Sequence, residues 1–80
     1  MSNKKKRLLM QELENFPRII RELRQSYGFT QQQVAEKLEV TYQSYQAYER
    51  GIALPNLKNF LKLANIYDVS LDYLVGRKEY

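Results

Sequence analysis

The 80-residue chain has room for one domain but not for a separate catalytic or ligand-binding domain beside it. It contains no cysteine and no histidine, which excludes disulfides, zinc sites built on those residues, thiol catalysis and the usual imidazole base. The net charge of +4 is weak support for a nucleic-acid partner, because residues 4–7 (KKKR) supply the whole excess and nine basic residues meet nine acidic ones from Leu8 onward.

Charged residues interrupt every apolar run well before the roughly 18 residues that a membrane helix needs. The N-terminus has no uninterrupted apolar stretch followed by a small-residue cleavage site. We therefore expect a soluble, cytoplasmic protein that associates with no membrane and binds no metal, cofactor or small-molecule ligand. The expected organisation is a basic tail over residues 1–15, a folded domain over 16–77 and a short C-terminal tail over 78–80.

The first helix is predicted from about Asn15 to Ser26. Asn15 is a common capping residue, and Pro17 is tolerated in a first helical turn because its missing amide is not needed there. Gly28 is expected to end the helix in the left-handed conformation. Apolar residues recur at helical spacing on one face, which predicts that this face is buried; they are Phe16, Ile19, Ile20, Leu23 and Tyr27.

Two short helices joined by a tight turn are predicted next. Thr30 caps the second helix, and Gln33 completes the T-x-x-Q pattern of a capping box. Residues 39–40 form the turn, Thr41 caps the third helix, and Gly51 ends it. The inward-facing residues of the second helix are expected to be Val34, Ala35 and Leu38.

Asn56 and Ser70 are predicted to cap a fourth helix and a short fifth helix. The fifth helix contains Leu71, Leu74 and Val75 and is closed by Gly76. On or near the buried face of the fourth helix we expect Leu57, Phe60, Leu61, Leu63, Ala64 and Tyr67. No strand alternation and no repeat are visible in the sequence, so the predicted fold is all-α with five short helices.

The third helix has two chemically different faces at the 100° step of an α-helix. Tyr45 and Tyr48 point the same way as Val40 and are expected in the core. The opposite side is polar and uncharged, and it carries Thr41, Tyr42, Gln43, Gln46 and Ala47. Glutamine can pair with adenine through two hydrogen bonds, and a methyl group can touch thymine. The pattern fits a DNA-reading face, and it also fits an ordinary solvated helix face.

Four segments in order carry a resemblance to a known family: LRQSYGFTQQQVAEKL, YERG, the loop Pro55–Leu57 and VSLDYLVGR. From about Phe16 to Arg77 the chain resembles the helix-turn-helix family of the lambda-type phage repressors and Cro proteins. The resemblance implies a five-helix, lambda-repressor-like DNA-binding domain. In such a domain the second and third helices form the helix-turn-helix, the third lies in the major groove, and two copies bind as a dimer.

The resemblance also implies roles for individual residues. Its base-contacting positions fall on Thr41, Tyr42, Gln43, Gln46 and Ala47. Its phosphate-contacting positions fall on Gln31, Gln32, Ser44, Arg50 and Lys58, and Gln31 also braces the recognition helix. Arg24 and Glu49 match a pair that forms an internal salt bridge between the first and third helices.

Two residues depart from the family pattern. Glu39 occupies a turn position where the family usually has glycine, and a left-handed glutamate there is strained by about 1 kcal/mol. Tyr42 is a bulky aromatic at the first base-facing position. It could stack on a sugar, pack on a thymine methyl group, or cover apolar surface beside Tyr45.

The resemblance leaves the tail and the dimer contact open. The basic tail could be an arm that follows the DNA, a solvated tail, or a helix over residues 8–14 that packs on the domain or on a second subunit. Tyr73 and Val75 lie near the fifth helix, where the family often dimerises, although core packing explains Tyr73 equally well.

The expected function is a sequence-specific regulator of transcription, bacterial or phage-encoded and nucleoid-associated. It would bind an inverted-repeat DNA operator as a homodimer and act as a repressor. The main alternative is a protein-interaction module of the same fold, an antitoxin or an adaptor. An enzyme is not expected, because five helices in this length leave little room for a pocket and no catalytic pairing of carboxylates is visible.

Overall fold

Five α-helices follow one another in the computed structural model, which describes residues 13–77. They are α1 (Phe16–Ser26), α2 (Gln31–Leu38), α3 (Tyr42–Arg50), α4 (Leu57–Tyr67) and α5 (Leu71–Leu74). No strand occurs between residues 13 and 77, which confirms the all-α prediction. Residues 1–12 and 78–80, with most of the predicted basic tail, lie outside the described residues. Leu13 and Glu14 form a turn before α1.

Side-chain caps begin four of the five helices. The side chains of Thr30, Thr41, Asn56 and Ser70 each accept a hydrogen bond from the backbone amide three residues further on. At Thr30 the capping box is complete, because Gln33 Oε1 also accepts from the Thr30 amide at 2.8 Å. These caps were predicted and are confirmed; each contributes about 1 kcal/mol to helix stability.

The expected cap at Asn15 is wrong. Asn15 precedes α1, but its side chain makes no capping hydrogen bond. Its backbone is in the right-handed helical region, at φ −87° and ψ −12°, whereas a capping side chain needs an extended backbone. The turn before α1 is instead closed by the Phe16 amide, which donates to the Leu13 carbonyl at 3.1 Å.

The core forms where the inner faces of the helices meet. Ala35 is fully buried in α2, which packs against both α3 and α4. Phe16 of α1 meets Phe60 of α4 with ring centroids 5.1 Å apart. The largest fully buried side chains are Tyr45, Tyr67, Phe16, Ile20, Leu38, Leu63, Leu74 and Val34. Burying a side chain of this size stabilises the fold by about 1.5–3 kcal/mol.

Two leucines of α4 and one tyrosine lie less deeply than predicted. Leu57 is 69% exposed and Leu61 is 48% exposed, so the expectation that both lie on or near the buried face is wrong. The core-facing stripe of α4 runs through residues 60, 63, 64 and 67. At 100° per residue, Leu57 and Leu61 point about 70° and 110° away from its centre. Tyr27 is also 46% exposed, although its hydroxyl donates to the Tyr67 carbonyl at 2.7 Å.

None of the helices within residues 13–77 is long and apolar enough to cross a bilayer. The same part of the chain contains no group of three or more Asp, Glu, His or Cys side chains placed to hold a metal ion.

Candidate nucleic-acid interface

A three-residue turn sets the angle between α2 and α3. Glu39 takes the left-handed conformation at φ 60° and ψ 41°, as expected at the position where the resembled family has glycine. The following Val40 amide donates to the Ala35 carbonyl at 3.0 Å, which closes the end of α2. A residue with a side chain in this conformation costs about 1 kcal/mol, so Glu39 lowers the stability of the turn by that amount.

Two tyrosines anchor α3 to the core. Tyr45 is fully buried and Tyr48 is 7% exposed, and their rings meet edge to face with centroids 6.2 Å apart. This confirms the prediction for the inner face of the helix. The predicted DNA-facing side chains lie on its other side: Tyr42, Gln43 and Ser44 are exposed, and Gln46 and Ala47 are half-buried.

A buried ion pair joins α1 to α3. Arg24 Nε lies 2.6 Å from Glu49 Oε2, and Arg24 Nη2 donates to Glu49 Oε1 at 3.1 Å. The Glu49 side chain is only 3% exposed and that of Arg24 14%. Arg24 Nη1 also donates to the Phe29 carbonyl at 3.1 Å, which fixes the loop before α2. This arginine therefore ties together α1, the α1–α2 loop and α3.

Two further donors reach the same carboxylate. The Tyr45 hydroxyl donates to Glu49 Oε2, and Gln31 Nε2 donates to Oε1 at 3.0 Å. Burial by itself would raise the pKa of the Glu49 carboxyl, but the hydrogen bonds from Arg24, Tyr45 and Gln31 outweigh it and hold that pKa below its ordinary value. Glu49 is therefore ionised at neutral pH. In turn, the hydrogen bond to Glu49 raises the pKa of Arg24.

Gln31 carries this network to the exposed face of α3. Its Oε1 accepts from the Tyr42 hydroxyl at 3.4 Å and from Gln46 Nε2 at 3.5 Å. Gln31 thus contacts α3 at two positions one helical turn apart. An open hollow of about 430 Å³ lies beside it, lined by Arg24, Phe29, Thr30, Gln31, Gln32 and Tyr42.

The remaining residues predicted to read bases have different surroundings. Gln43 is exposed and makes no side-chain hydrogen bond within residues 13–77. The Thr41 hydroxyl accepts from the Ser44 amide at 3.0 Å and donates to Ser44 Oγ at 2.9 Å, so it is used in capping. The Ala47 carbonyl accepts from the Ile52 amide at 3.0 Å, and the residue as a whole is half-buried.

The residues predicted to contact phosphate are distributed over three helices, α2, α3 and α4. Gln32 is exposed and its Nε2 donates to Glu36 Oε2 at 3.4 Å. Lys58 is exposed in the first turn of α4 and makes no hydrogen bond or ion pair with other residues of the described part. Arg50 lines a second hollow, of about 710 Å³, with Arg18 and Arg21 of α1.

Gly51 brings the end of α3 close to α1. Its φ is +74°, and a Cβ atom there would meet Pro17 Cγ at 3.3 Å. A side chain at this position would combine left-handed strain with crowding. This explains why the helix ends in glycine next to Arg50.

Tyr73 and Val75, the predicted dimer contacts, are half-buried at the end of the chain around α5. One large exposed apolar side chain, Leu71, lies on α5 itself, and others lie on the α3–α4 loop and on α4: Ile52, Leu54, Leu57 and Leu61.

The fold and this helix-turn-helix geometry agree with comparisons to known proteins. The family model described as "Helix-turn-helix" matches residues 20–74. The chain belongs to the helix-turn-helix family. The relatives of this domain are transcriptional regulators or repressors by name, and no solved structure matches the chain significantly.

Three relatives of this helix-turn-helix domain are named as regulators or repressors. It is 43% identical over 60 residues to the HTH-type transcriptional regulator ImmR of Bacillus subtilis, covering 75% of this chain and 47% of the relative. It is 45% identical over 56 residues to the SPbeta prophage-derived uncharacterized regulator YonR of the same species, covering 70% and 52%. It is 37% identical over 54 residues to the cryptic phage CTXphi transcriptional repressor RstR of Vibrio cholerae, covering 68% and 48%. The chain spans about half the length of the curated relatives it matches.

Sequence reasoning missed two members of the Glu49 network. Tyr45 was assigned to the core by its apolar ring, yet its hydroxyl binds Glu49. The four-residue spacing of this pair on one helix was a usable signal, because residues i and i+4 are neighbours. Gln31 was expected to brace the recognition helix, but nothing in its spacing to Glu49 indicated that the two side chains meet.

Proposed function

We propose that this chain is the sequence-specific DNA-binding part of a bacterial or phage-encoded regulator of transcription, a repressor that places α3 in the major groove. The observation that supports this most is the exposed, uncharged polar face of α3, opposite its buried tyrosines. Gln43 and Gln46 offer amides that match the N6 and N7 edge of adenine. A face without charge adds little non-specific phosphate attraction, so it is suited to reading base sequence.

Phosphate contacts would fix the register of α3 on the duplex. The proposed donors are Gln31, Gln32, Ser44, Arg50 and Lys58, together with the free amides at the start of α2. A helix N-terminus favours an anion through its exposed N–H groups and its dipole. Such contacts orient the protein on the DNA but carry no sequence information themselves. The protein would act in the cytoplasm, on nucleoid DNA.

Binding as a homodimer follows from the size of the recognition surface. One recognition helix reads a few base pairs, and contacts worth about 1–3 kcal/mol each seldom suffice against genomic competitor sites. Two copies related by a two-fold axis double the contacts and require an inverted-repeat operator. Their recognition helices would lie about 34 Å apart, with half-site centres about 10 base pairs apart. The surface around Tyr73 and Val75 is the proposed contact.

Selection of bound fragments from random DNA, followed by footprinting, tests this function. The expected product is an inverted repeat of the stated spacing, protected on both half-sites, with two chains per duplex at saturation. A single asymmetric half-site with one chain bound at saturation would reject the dimer. Failure to enrich any sequence would reject DNA reading altogether.

The neutral charge of the chain from Leu8 onward favours a second candidate, a protein-interaction module such as an antitoxin or adaptor. A salt series separates the two functions. Phosphate contacts make the logarithm of the affinity fall linearly with the logarithm of the salt concentration, by about 0.9 per contact. A flat salt dependence, with the same weak affinity for every duplex, would favour the interaction module.

A further inference from the structure

The Glu49 carboxylate fixes which way the Gln31 amide points. An ionised carboxylate only accepts hydrogen bonds, so the group of Gln31 that faces it must be the NH₂ group. Gln31 Nε2 lies 3.0 Å from Glu49 Oε1, and Arg24 holds the same carboxylate by two hydrogen bonds. Amide orientations are otherwise ambiguous, but here the charge decides. Gln31 Oε1 must therefore face away from Glu49.

The Gln31 oxygen that faces away from Glu49 in turn decides whether the Tyr42 hydroxyl donates or accepts a hydrogen bond. An amide oxygen only accepts, and the Tyr42 hydroxyl, 3.4 Å away, has a single hydrogen to give. Directing that hydrogen to Gln31 leaves only the lone pairs of the hydroxyl oxygen for other partners. Tyr42 is 38% exposed on the predicted base-facing side of α3.

We propose that Glu49 acts through Gln31 as a positioning residue for base recognition, presenting the Tyr42 hydroxyl to DNA as a hydrogen-bond acceptor. Tyr42 then selects a base that carries an exocyclic amino group. The inference rests on the proposed function and deepens it, because it assigns a base class to one position of the operator.

The major groove offers a clear choice to such an acceptor. Adenine N6 and cytosine N4 are donors there, whereas guanine O6 and thymine O4 are acceptors. An acceptor hydroxyl pairs with the first two and is repelled by the others. The Gln31 oxygen also orients the Gln46 amide, because one N–H of Gln46 donates to it. The other N–H and the side-chain carbonyl oxygen of Gln46 remain free, and this donor and acceptor match adenine.

The test compares binding to the selected operator with binding to duplexes that vary the base opposite Tyr42. The wild-type chain is expected to prefer amino-bearing bases by about tenfold, the size of one specific contact. Gln31→Met keeps the length of the side chain but removes the oxygen, so the Tyr42 hydroxyl can donate or accept and the preference disappears. Tyr42→Phe removes the same preference, and the double variant loses nothing more.

Gln32→Met is the matched control. Gln32 follows Gln31 in the first turn of α2, and its side-chain amide contacts Glu36 rather than Glu49. Its loss is expected to weaken all duplexes equally, as a phosphate contact would, and to leave the base preference intact. If Gln31→Met behaves like Gln32→Met, or if the wild-type chain prefers guanine or thymine at this position, the inference is overturned while the proposed function stands.

A second measurement needs no DNA. In ¹⁵N spectra of the free protein, Tyr42→Phe is expected to shift the side-chain amide signals of Gln31 and leave those of Gln32 in place. Unmoved Gln31 signals overturn the inference even if the protein binds its operator. If the wild-type chain shows no base preference anywhere, the proposed function fails and the base assignment fails with it. Circular dichroism confirms that each variant is folded.

Discussion

Arg24 and Glu49, 25 residues apart in the chain, form two hydrogen bonds of 2.6 and 3.1 Å that join α1 to the last turn of α3. The pair holds α3 on the side opposite its exposed polar face, and the same carboxylate accepts a hydrogen bond from Gln31 on α2. Three helices thus meet at one buried charge. Stability and the geometry of the proposed DNA-facing surface depend on the same contact.

Removing one side of this pair is expected to destabilise the fold strongly. Arg24→Ala strands the Glu49 carboxylate in a buried site, which costs about 3–5 kcal/mol. Denaturant titration measures the loss. The matched control is Arg18→Ala, because Arg18 also pairs with a glutamate at 2.9 Å but both side chains are more than half exposed. That control should lose less than about 1 kcal/mol; equal losses would show that the Arg24 pair is not the buried one.

The stability of the fold should fall in acid because of Glu49. Its pKa is lower in the folded chain than its ordinary value of 4.5, so the folded state favours the ionised form. The associated stability is fully present above the ordinary value and is lost as the pH falls through the lower, folded value. Unfolding measured across this range should show a smaller acid slope for Glu49→Gln than for the wild-type chain. The control is Glu22→Gln, whose side chain is 59% exposed, and it should cost much less stability at neutral pH than Glu49→Gln.

Tyr67 offers a test of a buried polar group without a partner. Its hydroxyl is buried and makes no hydrogen bond of acceptable geometry among residues 13–77. Burial raises its pKa to about 12, although the nearby Tyr45 hydroxyl acts in the opposite direction. Tyr67→Phe removes an unsatisfied group, so stability should stay the same or rise by about 1 kcal/mol. Tyr45→Phe is the contrast, because it removes the donor to Glu49 and should destabilise. A marked loss in Tyr67→Phe would show that its hydroxyl has a partner.

Glu39→Gly is expected to stabilise the turn between α2 and α3. Glu39 has a φ of 60°, a conformation that costs about 1 kcal/mol for a side-chain residue and almost nothing for glycine. Thermal melting should rise accordingly. Glu36→Gly, in the interior of α2, should do the opposite, because glycine in a helix costs about 1 kcal/mol. A fall in melting temperature for both variants would contradict the strain at Glu39.

Gln43 should carry sequence discrimination without contributing to stability. It is exposed and unpaired among the described residues, so Gln43→Ala should leave the melting temperature unchanged. If its amide pairs with a base, the preferred operator should lose about 1–3 kcal/mol of binding and the preference at one base pair should relax. Binding to random DNA should hardly change. Equal losses on operator and random DNA would reject direct readout by Gln43.

Much of the local structure could be predicted from the sequence. The caps at Thr30, Thr41, Asn56 and Ser70 depend on the residue type and its spacing to the next turn, and all four are present. Helical periodicity likewise placed Tyr45 and Tyr48 in the core. These features could be predicted because a helix cap or an amphipathic face depends on residues that are close together in the sequence.

Only the tertiary structure decided how much of each apolar helix face is buried and which side chains donate hydrogen bonds to the Glu49 carboxylate. Leu57 and Leu61 have the apolar character of core residues, but the packing of α4 leaves them exposed. The contact of Gln31 with Glu49 joins two helices across a separation of 18 residues, which no local pattern encodes. A buried carboxylate needs hydrogen-bond donors to replace its lost hydration. The arrangement of the helices in space decides which donors lie close enough to bind it.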